Sequence, residues 1–201
     1  LAARVFRHTA AYDAVIADWF ATQTDGPEAV PHEFVISGVL QQGLRYGENP
    51  HQKAALYRDA IPAAVAGVSD CRQLQGKELS YNNILDLSAA LELLREFASD
   101  SDPFCCILKH NNPCGAALAD ELVTAFERAW EGDSEAAYGS VIGMTREVDA
   151  ATASAIASRF VEIVVAPRFS AEALEILSAK KNLRLMAFDK PLISAQAARW
   201  T

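Results

Sequence analysis

Apolar residues along the chain form two kinds of pattern, short continuous runs and longer stretches with a repeat of three or four. The short runs have the length of buried strands and lie at 104–108, 138–144, 161–166 and 183–187. The repeating stretches predict helices and lie at about 84–97, 116–130, 147–159 and 170–179. Because strands and helices alternate and the runs lack a polar face, we predict an α/β fold whose sheet is parallel at its centre and covered on both sides.

The N-terminal part of the chain is organised differently. Residues 1–21 have apolar positions at helical spacing, and without a partner nearby we expect this helix to expose an apolar surface. The segment 22–27 is polar and contains Gly and Pro, which predicts a linker and the best candidate domain boundary. Two strands are predicted at 33–40 and 54–57, on either side of a polar stretch at 44–52.

That polar stretch supports two interpretations equally. Turn formation alone explains Gly47, Asn49 and Pro50. It explains less well why Arg45 and Tyr46 lie among further Glu, His and Gln side chains within so few positions, which favours a binding role.

Leu108–Gly115 is the segment that most strongly indicates chemistry. It follows a buried strand, and its Pro and Gly predict a turn before a helix that begins near Ala116. Ligands of open α/β sheets bind at such strand ends. Lys109 and His110 would place a fixed cation beside a side chain that exchanges protons near neutral pH, and the amides at the predicted helix N-terminus would add an oxyanion site. A solvated Lys and a structural His are the alternatives that remain open.

Composition narrows the class of protein. Apolar residues make up 51% and charged residues 22% of the 201 residues, as in a soluble globular protein, and no apolar stretch is long enough to span a membrane. The net charge of −8 argues against broad nucleic-acid binding but allows a small phosphorylated ligand. Four cysteines without a disulfide pattern fit a reducing cytoplasm, and they are Cys71, Cys105, Cys106 and Cys114.

Three common site motifs are incomplete or absent. Pro113-Cys114 matches the start of the zinc-deaminase Pro-Cys-x-x-Cys, but residue 117 is Ala and no His-x-Glu precedes it, so we expect no metal and a small buried role for Cys114. The glycines of Gly139–Gly143 lack the spacing of a dinucleotide-binding loop, and no phosphate-binding P-loop is present.

Four ordered motifs stand out along the chain, namely Leu44–Gln52, Leu79–Asn83, Lys109–Gly115 and Phe160–Pro167. Together they resemble the bacterial AICAR transformylase/IMP cyclohydrolase family of purine synthesis. Two shorter segments near the N-terminus resemble the end of the family's cyclohydrolase domain, namely Leu1–Ala3 and His8–Asp13.

The resemblance implies a piece of a larger enzyme. Residues 1–24 would be the last helix of the cyclohydrolase domain with a linker, and 25–201 the first half of the transformylase domain. That half would be a three-layer, cytidine-deaminase-like subdomain without zinc and with a mixed, largely parallel sheet. The family is cytoplasmic and homodimeric, and the isolated piece would be inactive because the second subdomain supplies much of the folate site.

The resemblance also implies a reaction and residue roles. The family transfers a formyl group from 10-formyltetrahydrofolate to the 5-amino group of AICAR, with His110 as the base and Lys109 stabilising the oxyanion or protonating the folate nitrogen. The implied substrate-binding residues are Arg45, Tyr46, Asn83, Gly139 and Glu162.

One loop departs from the family pattern. Asp133–Ser140 lacks the usual Pro and second Gly, which puts the role of Gly139 in question. A zinc-dependent deaminase-type hydrolase and a non-catalytic dimerisation or binding module remain as alternative functions.

Overall fold

The computed structural model describes residues 1–24, 30, 35–60 and 63–193, so the predicted strand residues 33 and 34 lie outside the described residues. The helices in these ranges are α1 Ala2–Thr24, α2 Tyr81–Glu96, α3 Leu122–Gly132, α4 Ala150–Ala157 and α5 Ala171–Ser178, with a 3₁₀ turn at Val68–Asp70. The strands are β1 Gly38–Leu44, β2 Ala54–Asp59, β3 Arg72–Gln75, β4 Phe104–Lys109, β5 Asn112–Leu118, β6 Ser140–Met144, β7 Val161–Ala166 and β8 Arg184–Ala187.

Six of the strands form one mixed sheet in the order β3-β8-β7-β6-β4-β5. The strands β6, β7 and β8 run parallel to one another, whereas β4, β5 and β3 each pair antiparallel with their neighbours. The prediction of an α/β fold with a parallel centre is therefore confirmed. The short edge strand β3 has no counterpart in the prediction, because Arg72-Gln73-Leu74-Gln75 lacks the apolar content of a buried strand.

Helices cover both faces of this sheet, which gives the three predicted layers. On one face α2 packs its buried Leu87, Leu91 and Leu94 against the sheet. On the other face α3, α4 and α5 bury side chains that include Phe126 and Ile156. Alternate residues of each central strand enter the two clusters, as expected for a sheet buried on both sides.

The predicted helix start near Ala116 is wrong. Residues Asn112–Leu118 instead form β5, which pairs antiparallel with β4 through a two-residue turn. The turn residues His110 and Asn111 have φ values of 55° and 64°, the left-handed conformation that such hairpin turns require. Pro113 is tolerated because β5 is an edge strand, and the helix that follows begins only at Leu122.

Serine side chains cap two of the helices. The Ser170 hydroxyl caps α5 by accepting a hydrogen bond from the Ala173 amide at 3.1 Å. The Ser80 hydroxyl caps α2 by accepting a hydrogen bond from the Asn83 amide at 3.2 Å. Asn83 returns the interaction by accepting a hydrogen bond from the Ser80 amide, which completes a capping box.

The N-terminal strands β1 and β2 form a separate two-stranded sheet and do not pair with the six-stranded sheet. Helix α1 continues to Thr24, through the first residues of the predicted linker, and β1 pairs antiparallel with β2. Side chains on α1 such as Phe6 and Phe20 are more than half exposed, which matches the expected apolar surface. Among the described helices, none combines the length and apolar character needed to cross a membrane.

Candidate functional site

A cavity beside the β4–β5 turn brings together five of the seven predicted site residues. It has a volume of about 500 Å³ and opens to solvent next to the N-terminus of α2. The predicted residues that line it are Asn83, Lys109, His110, Gly139 and Glu162.

The cavity lies at the amino ends of the three parallel strands. Gly139 immediately precedes β6, Glu162 is the second residue of β7, and Arg184 is the first residue of β8. We expected a carboxyl-end site, and the loop does follow the carboxyl end of β4. Because β4 runs antiparallel to β6, that end meets the amino ends of the parallel strands.

The β4 end holds the Lys109 ammonium in a defined place. Its Nζ donates a hydrogen bond to the carbonyl oxygen of Tyr138 at 2.8 Å. The Tyr138 ring stacks on Phe160 with 4.7 Å between centroids, so the carbonyl belongs to a packed loop. An ammonium has three N–H donors, and this bond leaves others to point at a ligand.

Gly139 has the backbone conformation that its loop requires. Its φ is +75°, and its amide donates to the carbonyl oxygen of Phe160 at 2.9 Å. A glycine adopts this conformation without steric cost. Although the loop departs from the family pattern, Gly139 lines the cavity wall.

A hydrogen-bonded network fixes the Glu162 carboxylate. The Asn83 Nδ2 donates to Glu162 Oε2 at 3.2 Å, and Arg184 Nη1 lies 3.9 Å from the same oxygen. Asn83 is 6% exposed, and its Oδ1 already accepts a hydrogen bond from the Ser80 amide. Asn83 thus supports Glu162, while the second carboxylate oxygen carries no such bond in the described part of the chain.

Arg45 and Tyr46 line an adjoining cavity of about 410 Å³ rather than the first one. The Arg45 guanidinium carbon lies 5.7 Å from the centroid of the Tyr46 ring. The two cavities share Ser80 and Arg184 in their walls, so the seven predicted residues occupy two neighbouring spaces.

Arg184 is a site residue that the sequence interpretation missed. Its side chain is only 14% exposed, and it borders the cavities of Arg45 and of His110. Its guanidinium donates to the carbonyl oxygens of Lys77 and Glu78, which ties β8 to the segment before α2. The only signal in the sequence is an Arg at the start of an apolar strand, which by itself indicates a solvated position.

A third cavity of about 530 Å³ shares Glu162 and Arg184 with the first. Its lining contains four cations, Lys77, Lys180, Lys181 and Arg184, against one carboxylate. This concentration of positive charge in a chain with a net charge of −8 favours an anionic ligand at this end of the sheet.

None of the four cysteines lines these three cavities. Partial burial raises the pKa of Cys114, which lies in β5 with its Sγ 3.5 Å from the carbonyl oxygen of Ile107. Cys114 is thus half-buried in a strand rather than at a helix start. Across residues 1–24, 30, 35–60 and 63–193, no three His, Cys, Asp or Glu side chains are grouped so that they could hold a metal ion.

Comparison with known proteins identifies the family to which the chain belongs. The family model described as the AICARFT/IMPCHase bienzyme matches residues 1–200. The chain belongs to this bienzyme family. A bifunctional purine biosynthesis protein PurH from Oceanobacillus iheyensis is 47% identical over 201 residues, and one from Bacillus subtilis is 49% identical over 189 residues.

These bienzyme relatives are much longer than the chain. The alignments cover 100% and 94% of the chain but 38% and 36% of the two relatives. Among solved structures, RibD from Acinetobacter baumannii aligns with a TM-score of 0.39 at 19% identity, over 47% of this chain and 33% of that one. That similarity is too low to assign a fold family, and the cytidine-deaminase-like description of the bienzyme subdomain stays a prediction.

Proposed function

We propose that the chain carries the proton-transfer part of a formyltransferase site, which moves a formyl group from 10-formyltetrahydrofolate to the 5-amino group of AICAR. The observation that supports it most is the cavity shared by Lys109, His110 and Glu162, in a chain of the bienzyme family. The cyclisation to IMP belongs to another part of the longer relatives.

His110 is the proposed general base. The amino group of AICAR is a weak nucleophile because its lone pair is delocalised into the imidazole carboxamide. Its proton must leave as the new C–N bond forms, and imidazole is the side chain most often used for this step. The turn that carries His110 projects from the sheet into the cavity wall, within reach of a ligand placed there.

Lys109 is the proposed electrophilic partner. As the amine attacks the formyl carbon, negative charge develops on the formyl oxygen, and a fixed ammonium stabilises that charge. The same group can protonate the folate nitrogen as it departs. The hydrogen bond to the Tyr138 carbonyl holds the Lys109 ammonium in place before the substrates arrive.

The nucleotide is proposed to extend from this cavity toward Arg45 and Tyr46. Arg184 lies between the two spaces, and cations are the groups that bind a phosphate. Glu162, with one carboxylate oxygen held by Asn83, is proposed to accept a hydrogen bond from the substrate, and Gly139 to allow close approach to the loop.

The remaining parts of the proposal concern the longer protein. Residues 1–24 are proposed as the end of the cyclohydrolase domain, and 25–201 as the first half of the transformylase domain. The folate site is proposed to need a second subdomain, so the 201-residue chain alone is expected to be inactive. The protein is proposed to act in the cytoplasm as a homodimer, without a metal.

Substitution of His110 in the protein at its natural length tests the assignment. We expect His110→Ala to lower the turnover of formyl transfer by a factor of about 100 or more, because general-base catalysis commonly contributes that much. His8→Ala, on the exposed face of α1, is the matched control and should leave turnover unchanged. Turnover of His110→Ala within about threefold of the wild type would rule out His110 as the base.

A further inference from the structure

The turn that carries His110 is anchored from outside its own sheet. The backbone amide of Asn111 donates a hydrogen bond to Oδ1 of Asp86, in α2, at 2.7 Å. Lys109 pairs with Asn112 across the hairpin, so the Asn111 amide lies inside the turn and outside the strand ladder. A carboxylate is a stronger acceptor for such an amide than a neutral group.

The turn needs support because of its conformation. Both loop residues, His110 and Asn111, have positive φ, and neither is glycine. The left-handed region is unfavourable for residues with a side chain, although Asn adopts it more readily than most. Within the hairpin, the Asn112 side chain adds a bond to the carbonyl oxygen of His110 at 2.9 Å.

Helix α2 is a rigid base for this anchor. Leu87, the next residue after Asp86, is fully buried against the sheet. Leu91 and Leu94 of the same helix are at most 1% exposed. Asn83 lies three residues before Asp86 on the same helical face and holds the Glu162 carboxylate. One face of α2 therefore contacts both the turn of His110 and the carboxylate across the cavity.

We propose that Asp86 is a positioning residue that fixes the His110 imidazole in the geometry required for proton transfer. This inference rests on the proposed role of His110 as the base. Asp86 also lines the cavity, so a direct contact between its carboxylate and the substrate is the competing interpretation. The two interpretations predict different turnover for the variant Asp86→Asn, and for Asn111→Gly combined with the loss of Asp86.

Kinetics of formyl transfer in the protein at its natural length separate them. In Asp86→Ala we expect turnover to fall about 10- to 100-fold, since small misplacements of a catalytic group cost this much, and KM for AICAR to stay within about twofold. Asp86→Asn keeps an acceptor oxygen for the Asn111 amide and should stay within about fivefold of wild-type turnover.

A second-site substitution supplies the matched rescue. Glycine adopts positive φ without steric cost, so Asn111→Gly should stabilise the turn when Asp86 is absent. We expect the double variant Asp86→Ala/Asn111→Gly to regain most of the lost turnover, and Asn111→Gly alone to behave like the wild type. Glycine at 111 cannot replace a carboxylate that contacts the substrate.

Amide hydrogen exchange in the 201-residue chain gives a readout that does not depend on activity. Exchange of the Asn111 amide should become at least about tenfold faster in Asp86→Ala, while amides of α2 and β7 keep their wild-type rates. If His110→Ala is inactive but Asp86→Ala has wild-type turnover, the positioning inference is wrong and the proposed function stands. If Asp86→Asn loses as much turnover as Asp86→Ala, and Asn111→Gly does not restore turnover to Asp86→Ala, then Asp86 acts on the substrate directly. That result also overturns the inference. Full activity of His110→Ala would overturn the proposed function itself.

Discussion

The backbones of β5 and α3 lie in close contact at Gly115. A Cβ atom added to Gly115 would lie 1.8 Å from the carbonyl oxygen of Ala129 and 2.8 Å from its carbonyl carbon. A second glycine, Gly132, faces the same crossing, where its added Cβ would lie 3.2 Å from the carbonyl oxygen of Cys114. We therefore predict that Gly115→Ala is strongly destabilising.

The size of the effect follows from the geometry. Ordinary van der Waals contact begins at 3.4 Å, so the methyl group requires β5 and α3 to separate by about 1.5 Å. The clash is with backbone, which no side-chain rotation can relieve. Such a separation would loosen the buried Phe126 and Ala129 of α3, and we expect a loss of about 3 kcal/mol or more in the free energy of unfolding.

Urea unfolding followed by circular dichroism measures this loss. With a denaturant slope of about 2–3 kcal/mol per molar, the midpoint should fall by at least about 1 M. Gly43→Ala is the matched control, since its added Cβ would have no atom within 4 Å, and its midpoint should stay within about 0.3 M of the wild type. An equally small shift for Gly115→Ala would refute the idea of a rigid backbone contact between β5 and α3.

Two further predictions concern ionisable groups. Burial opposes ionisation of Asp70, but the hydrogen bond from Lys190 at 2.7 Å and nearby positive charge outweigh it and leave the pKa below its ordinary value of 3.8. This stabilisation is present above the unfolded-state pKa and lost as the pH falls through the folded-state value, so Asp70→Asn should lower stability by roughly 1 kcal/mol at pH 7. Urea midpoints should converge as the pH drops below 3.8, and a constant difference would contradict the ion-pair explanation. Burial raises the thiol pKa of Cys71 and Cys106 to about 12, so a thiol reagent at pH 8 should label half-buried Cys114 first and those two only on unfolding. Equal labelling rates in the folded chain would disprove this order.

The central elements could be predicted from the sequence because their apolar patterns are strong. The runs of β4, β6 and β7 are buried on both faces, as expected for apolar strands covered by helices on both sides of a sheet. The error at β5 has a physical cause. Ala116, Ala117 and Leu118 favour a helix locally, and the strand forms there only because its backbone pairs with β4 and its Gly115 lies against α3.

The sequence predicts a turn in this segment but not a two-residue hairpin at His110-Asn111, for a related reason. The usual signal for a two-residue hairpin is Asn-Gly or Asp-Gly, and His110-Asn111 contains no glycine. Its support comes from Asp86, more than twenty residues earlier in the chain, which no local pattern reveals. Lys109 and His110 could nevertheless be selected from sequence, because two polar residues at the end of a buried strand must lie at the edge of the sheet.

The neighbourhood of Asn83 shows how the start of α2 serves both the fold and the site. An Asp at this position could accept the hydrogen bond from the Ser80 amide equally well and would still complete the capping box with Ser80. It would also place a second carboxylate against Glu162, where the Asn83 amide now donates a hydrogen bond at 3.2 Å. The requirement for an amide therefore comes from the cavity and not from the helix. Since Asp86 on the same face holds the turn of His110, the packing of α2 sets the separation between the proposed base and the carboxylate opposite it.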